Sequence, residues 1–189
     1  LRDIIGSGVV ATVRLTEIFR QALDSRIVVN AHRVNNGEFP LITVQDGERS
    51  DFYFIQREEP EDALAAIREI CTRRIPRAFS LHPVRDIQVI SPMHRGAVGV
   101  ANMNQELQDA LNASGMEFAG MGRSFRVGDK VMQVANNYTK EIFNGDIGWV
   151  TGFDQESGQV RVAFDERAIE YDLGELDELT LAYAISVHK

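Results

Sequence analysis

The chain has 189 residues, 44% of them hydrophobic and 25% charged, which is long and apolar enough for a real buried core. A formal net charge of -8 and a sequence pI of about 5.0 exclude a protein that coats nucleic acid by bulk charge, while leaving room for a local basic groove. No apolar run reaches the length of a bilayer span, the first residues carry no signal-peptide pattern, and the single cysteine, Cys71, excludes an intrachain disulfide and a cysteine metal cluster, so a cytoplasmic protein is expected.

Residues 1–12 are apolar, with Gly6 and Gly8. They formally fit G-x-G-x-x-A, but no strand precedes them, and a helix end followed by a turn is expected. In residues 13–21, V-R-L-T-E-I-F-R-Q, an extended apolar lead runs into a polar turn that presents Arg20. A guanidinium is always charged and its planar fork matches phosphate oxygens. The chain has no phosphate-cradling loop for it to serve, and on composition alone a surface salt bridge is the simpler reading. Ser25 suits the N-cap of a helix over 26–36 that stops at Gly37. Ile27, Ala31 and Val34 share one face of it; Asn30 and Arg33 share another.

Residues 52–55, F-Y-F-I, read as a buried strand. Pro60, Glu61 and Asp62 open the next helix, with Leu64, Ile67 and Cys71 as its stripe. Arg68, Arg73, Arg74, Arg77, His82 and Arg85 cluster beyond it, read as a solvated face. A short buried strand over 87–90 ends at Ser91-Pro92. The polar loop after it, M-H-R-G, has the position of ligand-binding loops in open α/β sheets, and its backbone amides, His94 and Arg95 suit nucleic-acid phosphates. An ordinary strand-to-helix connection fits equally. A helix over 97–113 follows, with Val100, Met103, Leu107 and Leu111 on one face. This succession predicts an α/β layer with a largely parallel sheet.

The texture changes near Gly120. Short strands are expected at 130–134, 147–153, 160–164 and 168–173, with Asn144-Gly145 as a type I′ hairpin turn and Trp149 in the core of a small β-barrel. Asn136, Asn137, Tyr138 and Lys140 place an aromatic among amides and a cation, suited to stacking on a base or holding a phosphate, and equally to a hairpin loop. His32 and His94 lack partners at metal-ligand spacing, so no metal site is expected. The chain turns apolar again over 179–187. It has no initiator methionine and stops at His188-Lys189, which reads as a piece of a longer protein.

Taken together these segments resemble the C-terminal motor portion of superfamily 1 DNA helicases of the RecD-like group, the exonuclease V alpha chain and its relatives. V-R-L-T-E-I-F-R-Q resembles the family's motif IV, followed by N-A-H-R-V-N-N-G. V-I-S-P-M-H-R-G-A-V-G-V-A-N-M-N resembles the next block. F-R-V-G-D-K-V-M-Q-V-A-N-N-Y with I-F-N-G-D-I-G resembles the SH3-like insert, and L-A-Y-A-I-S-V-H-K the opening of motif V.

The resemblance implies an α/β fold: a RecA-like, P-loop NTPase-type parallel-sheet domain 2A over 1–119 and 176–189, with a small SH3-like β-barrel, 2B, inserted over 120–175. It implies part of an ATP-dependent 5′-to-3′ helicase of DNA recombination and repair, with single-stranded DNA as partner. Arg20, with Gln21, would contact ATP as the γ-phosphate sensor. His94, Arg95, Asn137, Tyr138, Lys140, Ser186, His188 and Lys189 would lie on the DNA track. No G-x-x-x-x-G-K-[S/T] loop and no magnesium-binding acidic motif occurs. ATP and Mg²⁺ would therefore be held mainly by RecA-like domain 1A of the same protein, with RecB- or RecC-like subunits as further partners, and the chain alone would not hydrolyse ATP. A nucleic-acid-binding module or a protein-docking barrel, neither catalytic, is the alternative.

Overall fold

The computed structural model describes residues 2–13, 25–42, 50–165 and 167–186. It divides into two compact units, 1–56 and 57–189.

In the first unit, α1 (Arg2–Gly6) ends in a turn at Ser7 and Gly8, as expected. Helix α2 (Arg26–Asn35) is capped by Ser25, whose hydroxyl oxygen accepts from the Val28 amide and whose proton goes to Asp51. Asp51 also accepts from the Arg26 amide at 2.9 Å. The Ser25 hydroxyl is the first cause that holds the Asp51 carboxyl below the ordinary carboxylate value. Asn30 is buried and clamps Leu41 from both sides, donating to its carbonyl at 3.1 Å and accepting from its amide at 2.6 Å. On the face shared by Ile27, Ala31 and Val34, Ile27 and Val34 are exposed. Residues 52–55 form no strand, and Tyr53, Phe54 and Ile55 are exposed. A strand exists only where a neighbour completes its hydrogen-bond ladder, and among the described residues none lies beside this run.

The second unit begins with α3 (Pro60–Glu69), with Pro60 in its first turn and Glu61 and Asp62 near its positive end. It continues through a π-helical segment, Ile70–Arg74, into α4 (Ile75–Phe79). The Ile75 amide reaches back five residues to the Ile70 carbonyl. Pro76 has no N–H and its ring crowds the preceding turn, which accounts for the widened turn. Strand β1 (Val89–Ser91) leads by a loop into α5 (Val100–Leu111). Strands β2 (Glu117–Gly120) and β3 (Arg123–Arg126) form a hairpin. Strands β4 (Lys130–Gln133), β5 (Ile147–Asp154), β6 (Gln159–Phe164), β7 (Arg167–Asp172) and β8 (Leu179–Leu181) form an antiparallel sheet in the order β7-β6-β5-β4-β8. A 3₁₀ turn, Leu173–Glu178, joins β7 to β8. The last strand, β9 (Ala184–Ser186), leaves that sheet and pairs parallel with β1.

Among the described residues the parallel sheet is this one pair, so the largely parallel sheet expected from the sequence is not seen there. The sheet of short strands is present, and its apolar positions alternate inward. Phe118 stacks on Phe125 and Phe153, over a core that includes Val131, Val162 and Leu176. Trp149 is not in that core. In β5 the buried positions are Gly148 and Val150, so Trp149 points to the opposite face and joins a second cluster with Cys71, Leu107 and Tyr183. The Asn144-Gly145 turn is present but is not type I′. Gly145 has φ 101° while Asn144 keeps a negative φ, and the Asp146 amide closes the turn on the Phe143 carbonyl at 3.0 Å. Positive φ at the second central residue alone, with glycine there, is the type II pattern.

Candidate nucleic-acid interface

Strand β1 and the last strand β9 run side by side, Ser91 opposite Ser186. Their carboxyl ends open onto the 92–99 loop. Ser91 organises that loop: its hydroxyl donates toward the Met93 and Val98 carbonyls, at 3.3 and 2.8 Å, and accepts from the Met93 amide at 3.2 Å. Gly99 then enters α5 so closely that a Cβ there would lie 2.5 Å from the Arg95 carbonyl carbon. The Val100 and Ala101 amides, the first two of the helix, go to the Met93 and His94 carbonyls at 2.9 and 3.5 Å. The loop thus caps its own helix. The amides of Val100 and Ala101 are thereby taken up within the loop, and the side chains of His94 and Arg95 are exposed.

These two side chains border a cleft of about 530 Å³. Arg123 and Ser124 of β3 form its other side, and Asn104 and Thr180 contribute to its floor. The Arg123 guanidinium is anchored by one nitrogen on the Leu179 carbonyl, which leaves the rest of its fork for a ligand. Among the described residues no ion pair occupies His94, Arg95 or Arg123. From the sequence, Arg123 falls with Arg126, Lys130 and Lys140 in a basic group whose simplest reading is a solvated face, not a site. Its signal is there, a cation two residues from Phe125 in a short alternating strand, but only the hairpin's position shows which cleft it enters.

A buried polar network holds the two sides of the cleft together. Asn104 donates to the Leu181 and Ala184 carbonyls at 3.1 and 2.9 Å and accepts from the Ala184 amide at 2.8 Å, tying α5 to the strand switch from β8 to β9. Asp129 is fully buried. It accepts from Tyr183 Oη at 2.9 Å, Gln108 Nε2 at 2.6 Å, Asn112 Nδ2 at 2.7 Å and the Arg126 amide at 2.7 Å. A charge in a dry interior needs such a shell.

In the 134–146 loop, Asn137 and Lys140 turn inward. Asn137 Nδ2 donates to Glu178 at 3.1 Å and its Oδ1 accepts from the Lys140 amide at 3.1 Å. Lys140 Nζ pairs with Glu175 at 2.6 Å and sits 4.3 Å from the Tyr171 ring centroid. Both residues therefore hold the loop against the 3₁₀ turn. Tyr138 stands out, 76% exposed, with Phe143 edge-on behind it at 5.9 Å. Arg20, Gln21, His188 and Lys189 lie outside the described residues. Among the described residues no three His, Cys, Asp or Glu side chains are placed to hold a metal ion, and no helix is long and apolar enough to cross a membrane.

A family model described as the ATP-dependent RecD-like DNA helicase SH3 domain matches residues 103–164. Over 179 residues the chain is 31% identical to the ATP-dependent RecD2 DNA helicase of Deinococcus radiodurans, a match covering 94% of this chain and 23% of that protein. The chain is of the RecD-like helicase family. It spans about a quarter of the length of that curated relative. The fold of this RecD-like chain is similar to Bacteroides Pif1 bound to ssDNA, with a TM-score of 0.52 and 19% identity over 93% of this chain and 42% of the other. Bacteroides Pif1 in complex with ADP-AlF3 and ssDNA gives the same values. The RecD-like chain thus has a helicase-like fold that includes an SH3-like domain.

Proposed function

We propose that this chain is the second motor domain of an ATP-dependent DNA helicase that travels 5′-to-3′ on single-stranded DNA. Its domain 2A would be RecA-like and formed by 1–119 and 176–189, with the SH3-like barrel 2B inserted over 120–175. The observation that carries this reading is the cleft where His94 and Arg95, beyond the carboxyl end of β1, face Arg123 of the hairpin. Ligands of open α/β sheets bind at that end of the strands. Three cationic or proton-bearing side chains on two sides of one groove suit a backbone that carries a charge at every nucleotide. The proteins it resembles are a DNA helicase by name and Pif1 structures bound to ssDNA.

In this reading His94, Arg95 and Arg123 hold phosphates, and Tyr138, backed by Phe143, stacks on a base. Asn137 and Lys140 shape the loop that presents Tyr138. Ser186, beside Ser91, with His188 and Lys189, would link the DNA track to the nucleotide. Arg20, with Gln21, would reach the γ-phosphate of ATP held by domain 1A and stabilise charge that develops there during hydrolysis. Mg²⁺ would be held mainly by that other domain, since neither a G-x-x-x-x-G-K-[S/T] loop nor the magnesium-binding acidic motif occurs in this sequence. Arg20→Ala in the whole helicase tests the nucleotide half. DNA-stimulated ATP turnover should fall by about 10³-fold with DNA affinity retained. Turnover near the unaltered level would remove Arg20 from the site.

A further inference from the structure

At the opposite end of β1 from the His94 loop lies a second cleft, of about 920 Å³. Gln88, Lys130 and Trp149 line it, Ile142 and Phe164 supply apolar wall, and Arg85 stands at its border. Three polar groups here have unmet hydrogen-bonding capacity. Gln88 Nε2 donates to the Val89, Ala182 and Tyr183 carbonyls at 3.1, 3.1 and 3.3 Å, which fixes the amide and leaves Oε1 as the acceptor. Gln88 Oε1 is buried and meets no donor among the described residues; Trp149 Nε1 is buried and meets no acceptor there. Lys130 is 4% exposed, and its ammonium makes one bond, to the Ile87 carbonyl at 3.1 Å. Burial pushes its pKa down, the nearby Asp86 charge opposing. A buried ammonium with one neutral acceptor has two N–H groups to place.

The three groups form one patch. Lys130 and Trp149 are directly opposed in the β4–β5 ladder, and the carbonyl that holds Lys130 belongs to the residue before Gln88. Two buried donor groups, on Lys130 and Trp149, and one buried acceptor, on Gln88, thus belong to residues that line the same cleft. An isolated anion would satisfy the donors and leave Gln88 Oε1 bare. Asp146 and Asp165 also border the cleft, so a strand of many phosphates is disfavoured while a single negative charge can reach Lys130. Arg167, another lining residue, is already paired with Glu141 at 3.0 Å.

We propose that this cleft binds the free C-terminal carboxylate of a partner peptide whose last side chain is apolar. The carboxylate accepts from Lys130 and Trp149 Nε1, the last peptide N–H donates to Gln88 Oε1, and the side chain packs against the indole, Ile142 and Phe164. Capture of a chain end by fixed donors is an established way of recognising peptides.

Trp149 is the only tryptophan of the chain, so its emission reports on the cleft directly. The test is a titration with N-acetyl-Gly-Gly-Phe as the free acid, with the same peptide as its C-terminal amide, and with inorganic phosphate. The free acid should give a saturable change in Trp149 emission, with a dissociation constant on the order of 1 mM for so small a probe. The amide should bind about tenfold or more weakly, and Lys130→Met should weaken the acid by a similar factor. The proposal is overturned if acid and amide titrate alike, if the acid gives no saturable change, or if phosphate produces the same change at the same concentration. The acid–amide comparison uses the unaltered protein, so the outcome does not depend on how Lys130→Met folds.

Discussion

Asp129 decides more than any other single residue whether the two sides of the candidate interface stay together. Four donors converge on its buried carboxylate, from α5, from the Asn112 turn, from the end of β3 and from Tyr183. Removing the carboxylate takes the acceptor from Tyr183, Gln108 and the Arg126 amide in a dry site and leaves Asn112 only the Val127 carbonyl, which costs far more than the bonds are worth net. Asp129→Ala should lower stability by about 3–5 kcal/mol, and Tyr183→Phe by about 1–2 kcal/mol, read as shifts of the urea midpoint. In the sequence, Lys130 belongs to a basic group that reads as a solvated face, and nothing marks Asp129. Both side chains are instead buried, on different partners, and nothing short of the three-dimensional packing reveals it.

The two buried tyrosines give a second test at the same scale. Burial first, and neighbouring carboxylates second, hold the Tyr171 and Tyr183 hydroxyls above the ordinary value of 10.0. The unfolded chain loses these protons near pH 10 while the folded chain keeps them. Their contribution to stability is therefore fully present below about pH 10 and is lost as pH rises above it. An alkaline titration followed by circular dichroism and by tyrosinate absorbance should show these two of the four tyrosines ionising together with unfolding. Complete ionisation of all four with the fold intact would contradict the burial assigned to them.

At the scale of elements, the loop between β1 and α5 is held by Ser91 on one side and by Gly99 on the other. Gly99→Ala would drive a Cβ into the Arg95 backbone, so the loop must move, although the φ of -74° suits alanine. The expected result is a loss of about tenfold in single-strand affinity with little change in helical circular dichroism. Wild-type affinity in a folded Gly99→Ala protein would free the loop from its assigned role. Much of this scale is legible in the residues. Ser25 caps α2 and Pro60 opens α3 because caps and first turns are local chemistry. The short strands of the SH3-like part are legible because their apolar positions alternate. The run 52–55 is not legible as non-strand, since its composition says nothing about whether a neighbour is there to pair with. The side taken by Trp149 is hidden for a related reason: alternation gives two faces, and only the packing tells which one meets the core around Val131, Val162 and Leu176.

At the scale of the molecule, a RecD-like chain that spans 23% of its curated relative is expected to carry part of an activity. We expect no DNA-stimulated ATP hydrolysis from the chain by itself, measured as phosphate release; turnover that responds to DNA would show a complete ATP site within it. The family is legible because long segments, V-I-S-P-M-H-R-G among them, keep their order along the chain. The interface is legible only in part: His94 and Arg95 are apparent from the strand-end loop, whereas Arg123 comes from a hairpin whose docking against that loop no local pattern encodes. The most direct measurement of the central claim is the salt dependence of oligothymidine binding by the chain and by its Arg95→Ala/Arg123→Ala variant. If both guanidiniums hold phosphates, the slope of log affinity against log salt should become shallower by roughly 1.4, about 0.7 for each single-strand phosphate that is no longer neutralised. An unchanged slope with the variant folded would mean that the cleft between His94, Arg95 and Arg123 is not where single-stranded DNA runs.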